Sequence, residues 1–275
     1  MNELLKSLSE NWTIGNNYES SIQKRIWDRR AEDFDAHPLP SFEKDDFLRL
    51  MCEEMPLVKE MQTLDVGCGA GRYSIALAEK VGHAFGVDIS PNMITAAKKR
   101  AETMGIDNCS FEAVDWAIAD IDSMGFRGVF DIVFAHMTPA ICDFSTLDKM
   151  NSCSRGLCML KKPTRRTNLV QDACYALAGL PGEKNLDKDL INIFTYVWGM
   201  GYEPKLFYNT EIWHSEQYTE EFYLWISDRI RLRNGLGDEE AEKIRGYLKE
   251  CEDENGKIEE ETVTTNVTMI WSVKN

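Results

Sequence analysis

The chain has 275 residues, with 46 acidic against 31 basic, a formal net charge of -15 and 43% hydrophobic residues. That apolar supply is enough for a packed core and excludes a disordered or fibrous chain. The acidic balance repels a phosphate backbone, and the longest basic cluster, Lys161, Lys162, Arg165 and Arg166, is interrupted by Pro163, so nucleic acid is not expected as a partner.

The opening stretch MNELLKSLSE is polar and amphipathic rather than continuously apolar, which speaks against a secretory leader. The eight cysteines are then expected as free thiols, in the cytoplasm. None of them has C-x-x-C spacing and the histidines are scattered, so no metal site is expected. No apolar run reaches the roughly 18 residues that span a bilayer.

Residues 1–60 read as a charged N-terminal helical cap, with Trp12, Tyr18, Ile22, Ile26, Trp27 and Phe34 at roughly helical separations before the break at His37, Pro38, Leu39 and Pro40. From residue 62 short apolar runs alternate with amphipathic stretches: QTLDVG, RYSIALAEKV, HAFGVD, NMITAAKKRAETM, CSFEAV and FDIVFA. This alternation predicts a parallel sheet with crossover helices, and Ser90 before Pro91 predicts a capped helix start. GLCMLKK and GYEPKLFYNTEIW read as further strands, with KPTRRTNLV and the helix-like DLINIFTYVWGM between them, and TTNVTMIWSV reads as the last strand. The fold expected is α/β, Rossmann-like and doubly wound, on a mostly parallel seven-stranded sheet. Its core is assigned to 61–214 and 262–275, and a helical insertion or lid to 215–261.

The segment LDVGCGAGRYSIALA sets Asp65 and three glycines, Gly67, Gly69 and Gly71, at a strand-to-helix junction. Glycines there admit φ above zero and close approach of a ligand to the backbone, and the helix that follows offers unpaired amides. The spacing is G-x-G-x-G followed by Arg72, not the dinucleotide G-x-G-x-x-G. Asp65 adds negative charge beside the loop, which suits a ligand with an ammonium group better than a pyrophosphate. S-adenosyl-L-methionine carries such a group.

The segment resembles motif I of class I S-adenosylmethionine-dependent methyltransferases of the small-molecule type. The resemblance covers roughly residues 60–145. It implies that Asp88, at the end of HAFGVD, accepts from the ribose hydroxyls, as a bidentate carboxylate can. It implies that Asp115 accepts from the adenine amino group, with Trp116 beside it for apolar contact or backbone recognition and Ile89 and Met93 covering the other ring face. Cys68 is a small residue that fits inside the loop. Ala135 and His136 close the fourth strand at the carboxyl end of the sheet, where open α/β sheets hold ligands.

Each assignment has a plainer counterpart. Asp88 and Asp115 also suit helix or turn caps, and Trp27, Tyr18 and Phe34 also suit a core. His136 offers either a general base or only its backbone. Tyr18, Trp27, Trp213 and His214 are the candidates for lid and substrate contact. The stretch from Asp238 to Glu261 reads as a solvated helical face. The expected function is transfer of a methyl group to a small molecule. A nicotinamide-dependent oxidoreductase, disfavoured by the glycine spacing, and a non-catalytic S-adenosylmethionine-binding module are the rival readings.

Overall fold

The protein was analysed as a computed structural model, which describes residues 2–14, 18–182 and 187–273. Four helices come first: α1 (Glu3–Asn11), α2 (Ser20–Asp28), α3 (Ala31–Ala36) and α4 (Asp46–Glu54). Then follow β1 (Gln62–Val66), α5 (Arg72–Ala78), β2 (His83–Asp88), α6 (Pro91–Thr103), β3 (Cys109–Ala113), β4 (Phe130–His136) and α7 (Phe144–Cys153). The remainder is β5 (Ser154–Asn168), α8 (Leu169–Leu177), α9 (Asp187–Gly199), β6 (Lys205–Tyr218), α10 (Thr219–Asn234), α11 (Asp238–Cys251) and β7 (Lys257–Ser272).

Among the described residues the strands form one seven-stranded sheet in the order β3-β2-β1-β4-β5-β7-β6. The pairs from β3 to β5 are parallel, and β7 runs antiparallel to both β5 and β6. This is the expected α/β fold, with the strand order reversing between β1 and β4. Side chains alternate across it. Leu64, Val66, Val133 and Ala135 enter one core, and Ile132, Phe134, Met159 and Ile270 enter the core on the other face. The Ser90 hydroxyl accepts from the Met93 amide at 3.1 Å with Pro91 in the first turn, so α6 starts where the sequence predicts.

The first sixty residues serve three places. Leu5 and Leu8 of α1 join the first core. Phe47, Leu48, Leu50 and Met51 of α4 are buried in the second with Tyr73 and Leu77. Only α2 and α3 lie over the carboxyl end of the sheet, where Asp28 and Phe34 meet α6 and the glycine loop.

The strands β5, β6 and β7 are 15, 14 and 16 residues long against 5 to 7 for the others, and they overhang the sheet as an antiparallel arm. KPTRRTN is strand here: Pro163 has no N–H, but the register shifts between Pro163 and Arg165 and pairing with β7 resumes. Strand also occupies both ends of 215–261, leaving α10 and α11 as its helices. At the end of the arm Tyr175, Phe222, Ile226, Ile244 and Leu248 form a separate distal core that includes Ile26 of α2.

A charged latch joins α2 to α10. Asp228 of α10, 2% exposed, accepts from Arg25 Nε and Nη2 at 2.9 Å each, from Arg29 at 2.7 Å and from Arg231 at 3.2 Å. Burial alone would raise its pKa, but the guanidinium groups outweigh it and hold the carboxyl below its ordinary range. A depressed pKa stabilises the fold above the unfolded value of about 3.9 and loses that contribution as pH falls through the folded one. The latch should therefore hold at neutral and mildly acidic pH. The arginines reach solvent, which tempers the cost of removing a buried partner. Asp228→Asn is expected to destabilise by about 1–2 kcal/mol and to speed tryptic cleavage within α2. Wild-type-like melting and digestion would show that the latch bears no load.

Candidate active site

The glycine loop leaves β1 at the point where the strand order reverses. Gly67, Gly69 and Gly71 all have left-handed backbones, at φ 76°, 53° and 75°. Asp88 ties the loop to β2 by accepting from the Gly69 amide at 2.9 Å, and its other oxygen accepts from the Ser90 amide at 2.9 Å. A Cβ on Gly67 would come within 2.1 Å of the Thr138 hydroxyl, and one on Gly71 within 2.9 Å of Ala97 and Phe111. On Gly69 it would meet nothing closer than 3.9 Å, and there only Met93 and Phe34. Two glycines therefore answer to protein packing, and the middle one leaves a cradle beneath the cap.

Asp65 lies 3% exposed below this cradle and accepts from the Ser74 hydroxyl at 2.9 Å. Burial, with the neighbouring charge of Asp88 adding to it, pushes its pKa up to about 8 despite that bond. Asp88 is also raised, by burial first, against the two amides that lower it. These are acids waiting for a cation or a donor. The Cys68 thiol is likewise driven well above its ordinary range by burial, which keeps it protonated and unreactive.

The cap occupies Asp115. Its carboxylate accepts from the Tyr18 hydroxyl at 2.7 Å, from the Ser20 hydroxyl and from the Ala117 amide at 3.0 Å. Burial, reinforced by the Asp115 bond, raises the Tyr18 pKa and keeps the phenol a donor. Beside it the Asp28 carboxylate accepts from the Ser90 hydroxyl at 2.5 Å and the Asn92 amide at 3.2 Å. Trp27 packs edge-on to Phe34 at 6.1 Å and borders both the distal core and the Met93 cluster. Met93 is 1% exposed under Trp27 and Phe34, and Ile89 is half-buried after Asp88.

Four further candidates are placed by their side chains. The Trp116 indole turns into the first core and donates to the Thr146 carbonyl at 3.0 Å, so only its main chain is left for a cofactor. Ala135 points into that same core, leaving its backbone alone at the strand end. Trp213 and His214, adjacent on β6, point to opposite faces: Trp213 donates to Glu211 at 2.9 Å, whereas His214 is exposed.

His136 lies on the Asp65 face of the sheet, its Nε2 2.9 Å from the Tyr73 hydroxyl, which donates to Asp45 at 2.9 Å. Burial first, then Lys161 and Arg72, holds the imidazole pKa well below its ordinary value, so it stays neutral. The next residue, Met137, has φ 53°, the only left-handed non-glycine backbone among the described residues. Sequence reasoning did not identify Tyr73, Asp45, Asp28 or Ser20. Tyr73 stands two residues past the last motif glycine and faces the same core as α4, a cue that needs the helix register.

A cradle of left-handed glycines, a buried acid beside it and acidic ends on β2 and after β3 define a class I, S-adenosylmethionine-dependent methyltransferase fold. The chain belongs to the methyltransferase domain family, whose model matches residues 57–222, over half of its length. It is 29% identical over 145 residues to a ribosomal protein L11 methyltransferase of Lachnospira eligens, covering 47% of this chain and 44% of that one. It is 34% identical over 92 residues to an aklanonic acid methyltransferase of Streptomyces, covering 31% of this chain and 41% of the relative. The chain thus spans less than half the length of the curated relatives it matches. In three dimensions it resembles the magnesium protoporphyrin IX methyltransferase of Synechocystis, solved with adenosylhomocysteine, with a TM-score of 0.50 at 18% identity over 70% of this chain and 92% of that one. No helix among the described residues is long and apolar enough to cross a membrane.

Proposed function

We propose that the protein methylates a small molecule, in the cytoplasm, without a nucleic-acid partner. The observation carrying this reading is the closed cap: Tyr18 and α2 bridge Asp115, Ser90 and Asp228 across the carboxyl end of the sheet. A small acceptor fits beneath such a bridge more readily than a folded macromolecule, and the net charge of -15 disfavours RNA. Eight free thiols suit a reducing compartment.

In this reading Gly69 gives the cofactor close backbone approach, Asp65 faces its ammonium, Asp88 its ribose hydroxyls, and Asp115 its adenine amino group once Tyr18 or Ser20 yields. When bound, the cofactor supplies an electrophilic methyl on a sulfonium and leaves as the neutral thioether adenosylhomocysteine. The chain's own task is to align the acceptor, exclude water and receive its proton. Alignment alone is worth about 7–11 kcal/mol of barrier in well-oriented systems. Neutral His136 at the tip of β4 is the proposed base.

The test is a screen of small-molecule libraries for release of adenosylhomocysteine. Turnover on ribosomal protein or RNA alone would overturn the acceptor class. For the cofactor, Asp88→Ala is expected to weaken binding about tenfold or more, because a charged acceptor and the tie to Gly69 both disappear. Calorimetry showing wild-type affinity would remove the ribose role.

A further inference from the structure

Strand β6 is the outermost strand of the sheet: β7 pairs along one of its edges and, among the described residues, no strand pairs along the other. Just past its end the Thr219 amide donates to the Gly256 carbonyl at 3.0 Å, in step with the register that sets Tyr218 against Lys257. By antiparallel alternation the odd-numbered residues of β6 then bond to β7, while Leu206, Tyr208, Thr210, Ile212, His214 and Glu216 turn their N–H and C=O groups to the open edge. An edge of 14 residues is a template for a further strand, and natural proteins ordinarily blunt such edges with proline, a bulge or outward charge.

None of these devices interrupts β6 between Leu206 and Ser215. The register with β7 runs without a shift, and the stretch LFYNTEIWHS contains no proline, lysine or arginine. Its one carboxylate, Glu211, is neutralised by Lys161 at 2.9 Å. Apolar side chains stand exposed along the edge, Tyr208 at 74% and Ile212 at 59%. In a protein of net charge -15 most surfaces repel a second copy, and this charge-poor seam does not.

The strand is also complementary to itself. Turned about a two-fold axis through Thr210, it sets Tyr208 against Ile212 of a second copy on one face, and Phe207 against Trp213 and Asn209 against Glu211 on the other. No like charges meet in that register, whereas an axis one residue farther on would set Glu211 against itself. The outward-facing residues from Leu206 to His214 exchange about ten main-chain hydrogen bonds in this pairing, the number a typical protein interface carries.

We propose that β6 is a dimer interface, at which two copies of this chain join antiparallel with Thr210 on the two-fold axis to form one continuous sheet. This interface is independent of the chemistry proposed for the cleft.

Sedimentation equilibrium of the full chain at micromolar concentration should give a dimer. Thr210→Pro removes an outward N–H that β7 does not use, and Ile212→Lys sets a charge against Tyr208 on each side of the axis. Each should raise the dimer dissociation constant at least about tenfold and leave the far-UV circular dichroism unchanged. Ile191→Lys, in the separate exposed apolar patch that α9 forms with Trp198, should leave the dimer intact. Thr210→Cys should give a disulfide-linked dimer under mild oxidation, because residues opposed on the axis have Cα atoms about 5.5 Å apart, and Glu259→Cys on β7 should not. A monomeric wild-type chain would overturn the proposal, including one whose edge takes a peptide of another protein instead. A dimer that survives both edge variants, a dimer dissolved by Ile191→Lys, or failure of Thr210→Cys to cross-link would overturn it equally.

Discussion

Asp65→Asn should make the ligand-free protein melt higher at pH 7–8 and at the same time weaken S-adenosylmethionine binding by about a hundredfold or more, the scale of removing one partner from a buried charge pair. The first effect follows from linkage. In the fold Asp65 keeps its proton until about pH 8, because burial outweighs the Ser74 hydrogen bond. In the unfolded chain it ionises near its ordinary value of about 3.9. A folded pKa above the unfolded one means that stability is full below the latter and declines as pH rises toward the former. At neutral pH the cost is on the order of a few kcal/mol, and asparagine, which fits the same space and can still bond Ser74, escapes it. The second effect has the same origin: a cation at the cradle restores the carboxylate and recovers what its burial cost. Binding below pH 8 should therefore release a proton, detected as a calorimetric heat that changes with the ionisation enthalpy of the buffer. A variant melting no higher than wild type at pH 8, or wild-type affinity in it, would refute this account.

The sequence disclosed the parallel half of this molecule because its signals are local. Each strand from QTLDV to FDIVFA is a short apolar run with a glycine turn or a capped helix beside it, and Asp65, Asp88 and the glycines sit where strand ends and turn chemistry put them. The antiparallel arm was legible only in part. KPTRRTN carries no strand signal of its own because its charges and Pro163 argue against one, and only pairing with β7, sixteen residues long, makes it a strand. The polar alternation of β7 before Thr264 was taken for helix, since EEET with lysine nearby satisfies helical spacing too. Partners drawn from distant segments were out of reach: nothing local links Tyr18 to Asp115, 97 residues away, or Arg25 to Asp228, 203 residues away. The face of a strand residue can be read from alternation once the strand is known. That is how Trp213 and His214, adjacent in sequence, come to have unrelated surroundings.

His136→Ala is expected to lower kcat by about 10²- to 10⁴-fold, the usual contribution of a positioned base, while cofactor affinity stays unchanged. The hydrogen-bond chain fixes which nitrogen acts. The Tyr73 hydroxyl has one hydrogen and donates it to Asp45, a carboxylate that also caps α4 by accepting from the Leu48 amide at 3.0 Å. The phenol oxygen must then accept from Nε2–H of His136, at 2.9 Å, which leaves the lone pair on Nδ1 as the basic site. Burial and the nearby Lys161 and Arg72 keep the ring neutral well below its ordinary pKa, so the base form persists as pH falls. The acid limb of kcat/KM should accordingly lie below the value of about 6.5 near which a solvated histidine titrates. Tyr73→Phe retains the ring that packs 4.0 Å from the imidazole but removes the acceptor for Nε2–H. It should lower kcat about tenfold without changing KM, as the wrong tautomer becomes populated. Nitrogen NMR of labelled histidine, assigned with His136→Ala, should show a neutral Nε2–H ring at pH 6 in the wild type and a tautomer mixture in Tyr73→Phe. A protonated ring at that pH, or turnover indifferent to His136→Ala, would leave the proton to water and reduce His136 to a wall of the acceptor pocket.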